Sequence, residues 1–277
     1  SQSKRRSTRN GRRVRFRDME LNRIYNEDNL ATCARMPDGF IDLVVTSPPY
    51  DNLRTYNGFT WDFEALAREL YRVVKKGGVV VWVVGDATID GSETGTSFRQ
   101  ALYFKEIGFN LHDTMIYRKE NPIPLTHNRY EQEWEYMFVL AKGKPSTWNP
   151  IRKRNKSAFQ KVSWATRAVE VGAARRSRDE VTVANEMGYI GNIWGYVIGA
   201  DRIGDHSAPF PCSMVKDHIL SWSNENDLVY DPFMGSGTTA KAAHQLKRNW
   251  IGSEISSEYV ELANKRLEPY LAQESLF

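Results

Sequence analysis

Cysteine is nearly absent from this 277-residue chain, Cys33 and Cys212 being the only two. That excludes a disulfide framework and a zinc ribbon, and it fits a reducing compartment. The five histidines show no ligand spacing, so no structural metal is expected. No stretch of about 18 apolar residues is present. Nor does a charged-then-apolar leader with a cleavage site open the chain, so a soluble protein without a membrane partner is expected. No internal repeat is visible. The length suffices for a large core, as one domain with an insertion or as two.

Charge is scarce only in the sum. The net value is +4, yet residues 1–17 hold eight Lys/Arg and no acid. Residues 141–180 hold eleven Lys/Arg against Glu170, Asp179 and Glu180, and the remaining 220 residues carry −12. Such segregation suits a chain that meets a polyanion with selected segments. The first segment reads equally as a solvated basic arm or an import-like run. The second interleaves Trp148, Phe159 and Trp164 with its charges, a composition that favours nucleic acid. Its candidate contacts are Arg152, Lys153, Arg154, Lys156, Arg175, Arg176 and Arg178.

The stretch Ile41–Val45 reads as a buried strand running into Thr46-Ser47-Pro48-Pro49-Tyr50. Two prolines cannot continue a ladder, so the backbone must leave the sheet at the strand's carboxyl end, where open α/β sheets bind ligands. The Ser47 hydroxyl and the Pro48 carbonyl are acceptors suited to an exocyclic amine, and Tyr50 offers a face for a base to stack on. The same residues also fit a stiff turn with a capping serine, and Tyr50 a packing role.

In chain order, a short strand at Leu21–Tyr25 precedes a helix to about Met36. Asp62 caps a helix with Phe63, Leu66, Leu70, Val73 and Val74 on one face, and Lys75-Lys76-Gly77-Gly78 reads as its cationic last turn and glycine stop. Val79–Val84 is a buried strand. A helix over Ser97–Ile107 leads to a strand at Phe109–Tyr117, with Trp134–Ala141 as its antiparallel partner. Residues 142–205 break the alternation with a basic, weakly periodic insert. A helix near Met214–Trp222, strand Leu228–Tyr230, helix Thr238–Leu246, strand Trp250–Glu254 and a helix to about Leu271 follow. The pattern predicts a mostly parallel, doubly wound sheet of seven strands closed by an antiparallel hairpin.

Asp231-Pro232-Phe233-Met234-Gly235-Ser236-Gly237-Thr238 follows a strand and opens a helix, the setting of a nucleotide-binding glycine loop. No Gly-Lys-Ser/Thr follows, which disfavours a nucleoside triphosphate. Glu254 ends the next strand, where a carboxylate can accept both hydroxyls of a ribose or, alternatively, cap the last helix.

With the proline loop and the Phe-x-Gly-x-Gly loop together, the chain resembles the adenosylmethionine-dependent amino-methyltransferases of DNA. The order of the two loops resembles the circularly permuted β group of that family. The resemblance implies a Rossmann-like class I methyltransferase fold divided into a basic arm (1–17), a catalytic half (18–141), an inserted target-recognition region (142–205) and a cofactor half (206–277). The final helix should then end near the strand at Arg23–Tyr25. Ser47, Pro48, Pro49 and Tyr50 would hold the target base. S-adenosylmethionine would be bound by Asp231, Phe233, Gly235, Gly237, Thr238 and Glu254, with Asp28 at the adenine and His206 and Pro209 near the methionine end. His206 also fits an ordinary loop histidine.

Because a base inside a duplex is out of reach, it would have to be flipped out of double-stranded DNA. Serine at the first position of the proline loop, with Met115–Pro124 and Glu135–Phe138, resembles the cytosine-N4 enzymes. Tyr117 stands where that family often has Trp. An adenine-N6 enzyme, a DNA-binding protein with a retained cofactor pocket, and an RNA or small-molecule methylator are the alternatives. A homodimer is left open, and the compartment would be the cytoplasm in a bacterium or phage and the nucleus in a eukaryote.

Overall fold

The computed structural model describes residues 19–49, 61–122, 124, 128–163, 181–199 and 210–274. Eight strands form one sheet: β1 (Arg23–Tyr25), β2 (Ile41–Thr46), β3 (Val74–Val84), β4 (Asn110–Lys119), β5 (Trp134–Ala141), β6 (Ile193–Tyr196), β7 (Leu228–Asp231) and β8 (Asn249–Ser253). Their order across the sheet is β1-β8-β7-β2-β3-β5-β4-β6. Pairing is parallel except at β5, which runs antiparallel to both β3 and β4.

The central strands β2, β3 and β7 are largely apolar where both faces are covered. Along β3, Val79, Val81 and Val83 enter one core and Val80, Trp82 and Val84 the other. The first core is closed by helices α4 (Cys212–Trp222), α5 (Thr238–Gln245) and α6 (Ser257–Glu274). The second is closed by α1 (Asn29–Arg35), α2 (Phe63–Val73) and α3 (Thr96–Glu106). Helix α6 lies along β1, since Val260, Asn264 and Leu271 share a cavity of about 730 Å³ with Arg23, Ile24 and Tyr25.

Two expectations are corrected. Lys75–Gly78 does not end α2 but belongs to β3, which begins immediately after the helix. The cap comes instead from Lys142, whose Nζ donates to the carbonyls of Tyr71 (2.6 Å) and Val74 (3.0 Å). The glycines serve the strand pairing. Ile41 pairs with Val74 but Leu43 with Val79, so the intervening residues bulge, and a Cβ on Gly78 would stand 2.9 Å from the Asp42 carbonyl. The second correction is that the sheet has eight strands rather than seven. β6 comes from the stretch read as an irregular insert and pairs with β4. Within that stretch Arg152–Arg154 also pairs with Met187–Tyr189, and Lys161–Ser163 with Val181–Val183. Strands of three or four residues are too short to show a period of two.

Candidate active site

Strands β2 and β7 are neighbours, with Leu43 opposite Val229 and Val44 opposite Tyr230. Being parallel, they deliver the proline loop and the glycine loop to the same edge of the sheet. A buried carboxylate joins the two. Asp231 accepts from Thr46 Oγ1 (2.7 Å), Thr239 Oγ1 (2.6 Å) and the Phe233 amide (3.0 Å). Burial pushes its pKa up to about 6, against the pull of those three donors. A second bridge is aromatic. Trp61 donates through Nε1 to the Pro49 carbonyl (3.2 Å) and meets Phe233 edge-on, with ring centroids 4.9 Å apart.

On this junction Pro48 is buried and Ser47 half-buried. The Ser47 hydroxyl has no hydrogen-bond partner among the described residues, so it is available to an incoming donor. Tyr50, next along the loop, lies outside the described residues.

The glycine loop turns through Gly235 (φ 52°) and Gly237 (φ 83°), conformations that glycine adopts without strain. Gly237 is also hemmed in, because a Cβ there would stand 3.0 Å from Ala263 Cβ. The Gly235 amide donates to Glu254 Oε2 (2.8 Å), and the Ser256 amide to Oε1 (2.9 Å). Glu254 therefore ties the loop to the entry of α6, and burial raises its pKa while the Ser256, Gly235 and Ile255 amides oppose the rise. The capping reading holds in part. Arg266 of α6 clamps the far side, donating to the Ser236 carbonyl (3.2 Å) and to Thr238 Oγ1 (3.0 Å).

Asp28 caps α1 by accepting from the Leu30 amide (2.8 Å). Its neighbour Asn29, buried, reaches the Pro232 carbonyl (3.5 Å), which places the start of α1 against the glycine loop. His206 and Pro209 lie outside the described residues. Sequence reading missed Thr46, Trp61, Thr239 and Arg266. Nothing local marks them, although the doubled Thr238-Thr239 was a hint, since the second rather than the first reaches Asp231.

The basic candidates Arg152, Lys153 and Arg154 form one exposed strand of the short ribbon. Arg152 lies over the Tyr189 ring at 5.1 Å, and Arg154 approaches Glu186 at 3.5 Å. Arg152, Lys156, Asn155, Met187 and Tyr189 line a concavity of about 390 Å³. Arg175, Arg176 and Arg178 lie outside the described residues. Among the described residues no group of three His, Cys, Asp or Glu could hold a metal, and no helix is long and apolar enough to cross a membrane.

A doubly wound sheet with an antiparallel strand β5, carrying a proline loop and a glycine loop at adjacent carboxyl ends, defines a class I methyltransferase domain. Comparison with known proteins agrees. M.BamHII of Bacillus amyloliquefaciens, named an orphan methyltransferase, is 51% identical over 88% of this chain and 93% of its own length. M.BglII of Bacillus subtilis, a type II methyltransferase, is 28% identical over 90% of this chain and 69% of its own. Among solved structures, the cytosine-N4-specific PvuII DNA methyltransferase superposes with a TM-score of 0.66 at 20% identity, over 88% of this chain and 85% of that one. M1.HpyAVI, solved as its SAM complex, superposes with a TM-score of 0.57 at 23% identity, over 88% and 98%. A family model described as DNA methylase, covering N6 and N4 methyltransferases, matches residues 41–265, and the chain belongs to that family.

Proposed function

We propose that the protein transfers a methyl group from S-adenosylmethionine to the N4 amine of a cytosine flipped out of double-stranded DNA at a specific sequence. The observation that carries this reading is the junction of the two loops through Asp231 and Trp61. The residues present suit the cofactor. Glu254 offers a buried carboxylate beside the Gly235 turn, a group that suits a ribose diol. Phe233, Gly235, Gly237 and Thr238 would complete the cradle, with Asp28, His206 and Pro209 as further contacts. When bound there, S-adenosylmethionine supplies an electrophilic methyl on its sulfonium. Asp231 holds the loops together and faces inward, which makes it a tether more than a ligand contact.

The chain's own work is orientation. The amine's lone pair is delocalised into the base ring, and Ser47 Oγ with the Pro48 carbonyl would accept its two N–H groups and draw the nitrogen toward tetrahedral geometry. Positioning of this kind is worth many orders of magnitude in rate. Tyr50 would stack on the extruded base. The exposed Arg152, Lys153, Arg154 and Lys156, together with Arg175, Arg176 and Arg178, would neutralise phosphates. The cytosine assignment is supported by serine at the first position of the loop. The permuted order is supported by α6 lying along β1.

Incubation with DNA and methyl-labelled S-adenosylmethionine, followed by nucleoside separation, tests this reading. Label is expected in N4-methylcytosine. Label confined to N6-methyladenine overturns the choice of base, and no label at all favours a binding protein.

A further inference from the structure

Beyond the two loops, a second polar group gathers at the same sheet edge. Lys119 Nζ and Glu135 Oε1 form an ion pair of 2.8 Å in which both side chains are largely withdrawn from solvent, 18% and 14% exposed. Tyr117, opposite Glu135 across the β4–β5 pair, is 4% exposed and packs near Tyr196. Its hydroxyl has no hydrogen-bond partner among the described residues. Burial, then the nearby Glu135 charge, pushes its pKa up to about 12, so it stays protonated and a donor at neutral pH.

The register places this group relative to Ser47. Thr46 pairs with Trp82 in the last pairing of β2 with β3, so Ser47 leaves the strand just beyond it, and the next residue of β3, Val83, pairs with Met137. Val83, Met137, Met115 and Tyr117 share one core face. Glu135 alternates onto the same face two residues beyond Met137, toward the carboxyl edge. β5 lies two strands from β2, about 10 Å away, and β4 three strands, about 14 Å. After side-chain reach, that gap suits a pyrimidine ring with a hydrogen bond of about 3 Å at each end.

We infer that Tyr117 and Lys119 read the ring edge of the extruded base, Tyr117 Oη donating to N3 and Lys119 Nζ to O2 of cytosine, with Glu135 as the positioning residue for Lys119. This rests on the cytosine reading above. Once Ser47 and Pro48 have taken the amine protons, cytosine has two acceptors left, N3 and O2. Adenine presents N1 and then a C–H, which would leave the Lys119 N–H not held by Glu135 facing carbon, and a donor group left without its acceptor is what makes such sites selective. A neutral phenol at N3 also holds that nitrogen without protonating it, so the ring does not carry the positive charge that would withdraw the amine's lone pair further.

The test uses the full chain and duplexes carrying the recognised site, read beforehand by modified-base sequencing of DNA from expressing cells. Single-turnover methylation is measured with cytosine or 3-deazacytosine at the target, for wild type, Tyr117→Phe and Lys119→Met. Tyr117→Phe removes a hydroxyl that no described residue uses, so a purely structural role predicts no change. The expected result is about tenfold slower transfer to cytosine and no further loss on 3-deazacytosine, which lacks N3. Equal slowing on both bases, or none, overturns the Tyr117 assignment.

Lys119→Met is expected to slow transfer about a hundredfold with cofactor affinity unchanged, and Lys119→Arg to recover part of the rate. Unslowed transfer by Lys119→Met, or a matching loss of cofactor affinity, overturns the Lys119 assignment. Wild type that labels only adenine overturns the cytosine reading itself. Wild type that labels cytosine while the variants show no coupling to N3 overturns this inference alone.

Discussion

The loop junction and the basic ribbon are built on opposite plans. At the junction, two segments 185 residues apart meet through a sealed carboxylate with three donors and an indole that spans both loops. In the ribbon, Arg152, Lys153 and Arg154 stand in solvent, held among the described residues by a three-residue pairing, the Arg152–Tyr189 ring contact and a loose ion pair. On the proposed function, the contrast follows from what each would do. Transfer between two reactants is sensitive to displacements of about 1 Å, so the groups that orient them need buried, fully satisfied supports. Phosphate contacts act over a longer range and tolerate mobility, so exposed side chains on a thin ribbon suffice.

The contrast breaks most sharply if Ser47→Ala leaves the rate alone. That variant is expected to lower methylation by about 100- to 1,000-fold, as for loss of one preorganised contact to the reacting group, with thermal unfolding unchanged because the hydroxyl has no partner among the described residues. Next comes Asp231→Asn. Wild-type Asp231 has a folded pKa of about 6, above its ordinary value of 3.8, so between those values the folded state holds more protons than the unfolded one. Wild-type stability relative to the variant should therefore fall as pH rises from about 4 to about 6. The drop is on the order of 3 kcal/mol, with little change above that window. Denaturant titrations across that range would show it, and a flat difference would mean the carboxylate is not sealed.

Gly237→Ala is expected to cost about 1–3 kcal/mol of stability and to weaken cofactor binding, because φ is 83° and the added Cβ would crowd Ala263. Calorimetric unfolding and cofactor titration measure the two effects separately. The smallest effect belongs to the ribbon. Lys153→Ala should leave stability within about 0.5 kcal/mol, weaken DNA binding uniformly across sequences and reduce the salt slope of log K by about 1. A change of stability larger than that would show that the ribbon is not the thin surface element described above.

Much of the fold was legible. The largely apolar runs at Ile41–Val45 and Val79–Val84 read as strands covered on both sides, and Asp62 was visible as a cap before it was seen to cap. The double proline and the Gly235/Gly237 pair marked the two loops because their backbone chemistry is independent of what packs around them. Lys75–Gly78 misled, since a basic turn followed by glycines has the same local look at a helix end and at a strand bulge. Only the pairing partner separates them. Thr46, Trp61 and Arg266 were invisible, as their roles consist entirely of contacts with distant residues.

By itself, the chain's order of residues determined which backbone segments are extended or helical, where the chain must turn, and which turns expose acceptors or glycine amides. These are local properties of side-chain shape and dihedral freedom. Tertiary structure alone decided that β2 and β7 lie side by side, that Asp231 is the knot between them, that β6 closes the sheet, and that Tyr117, Lys119 and Glu135 gather at the same edge of the sheet as the proline loop. Strand neighbourhood and face depend on how the whole sheet buries its two cores, and no short window of sequence contains that information.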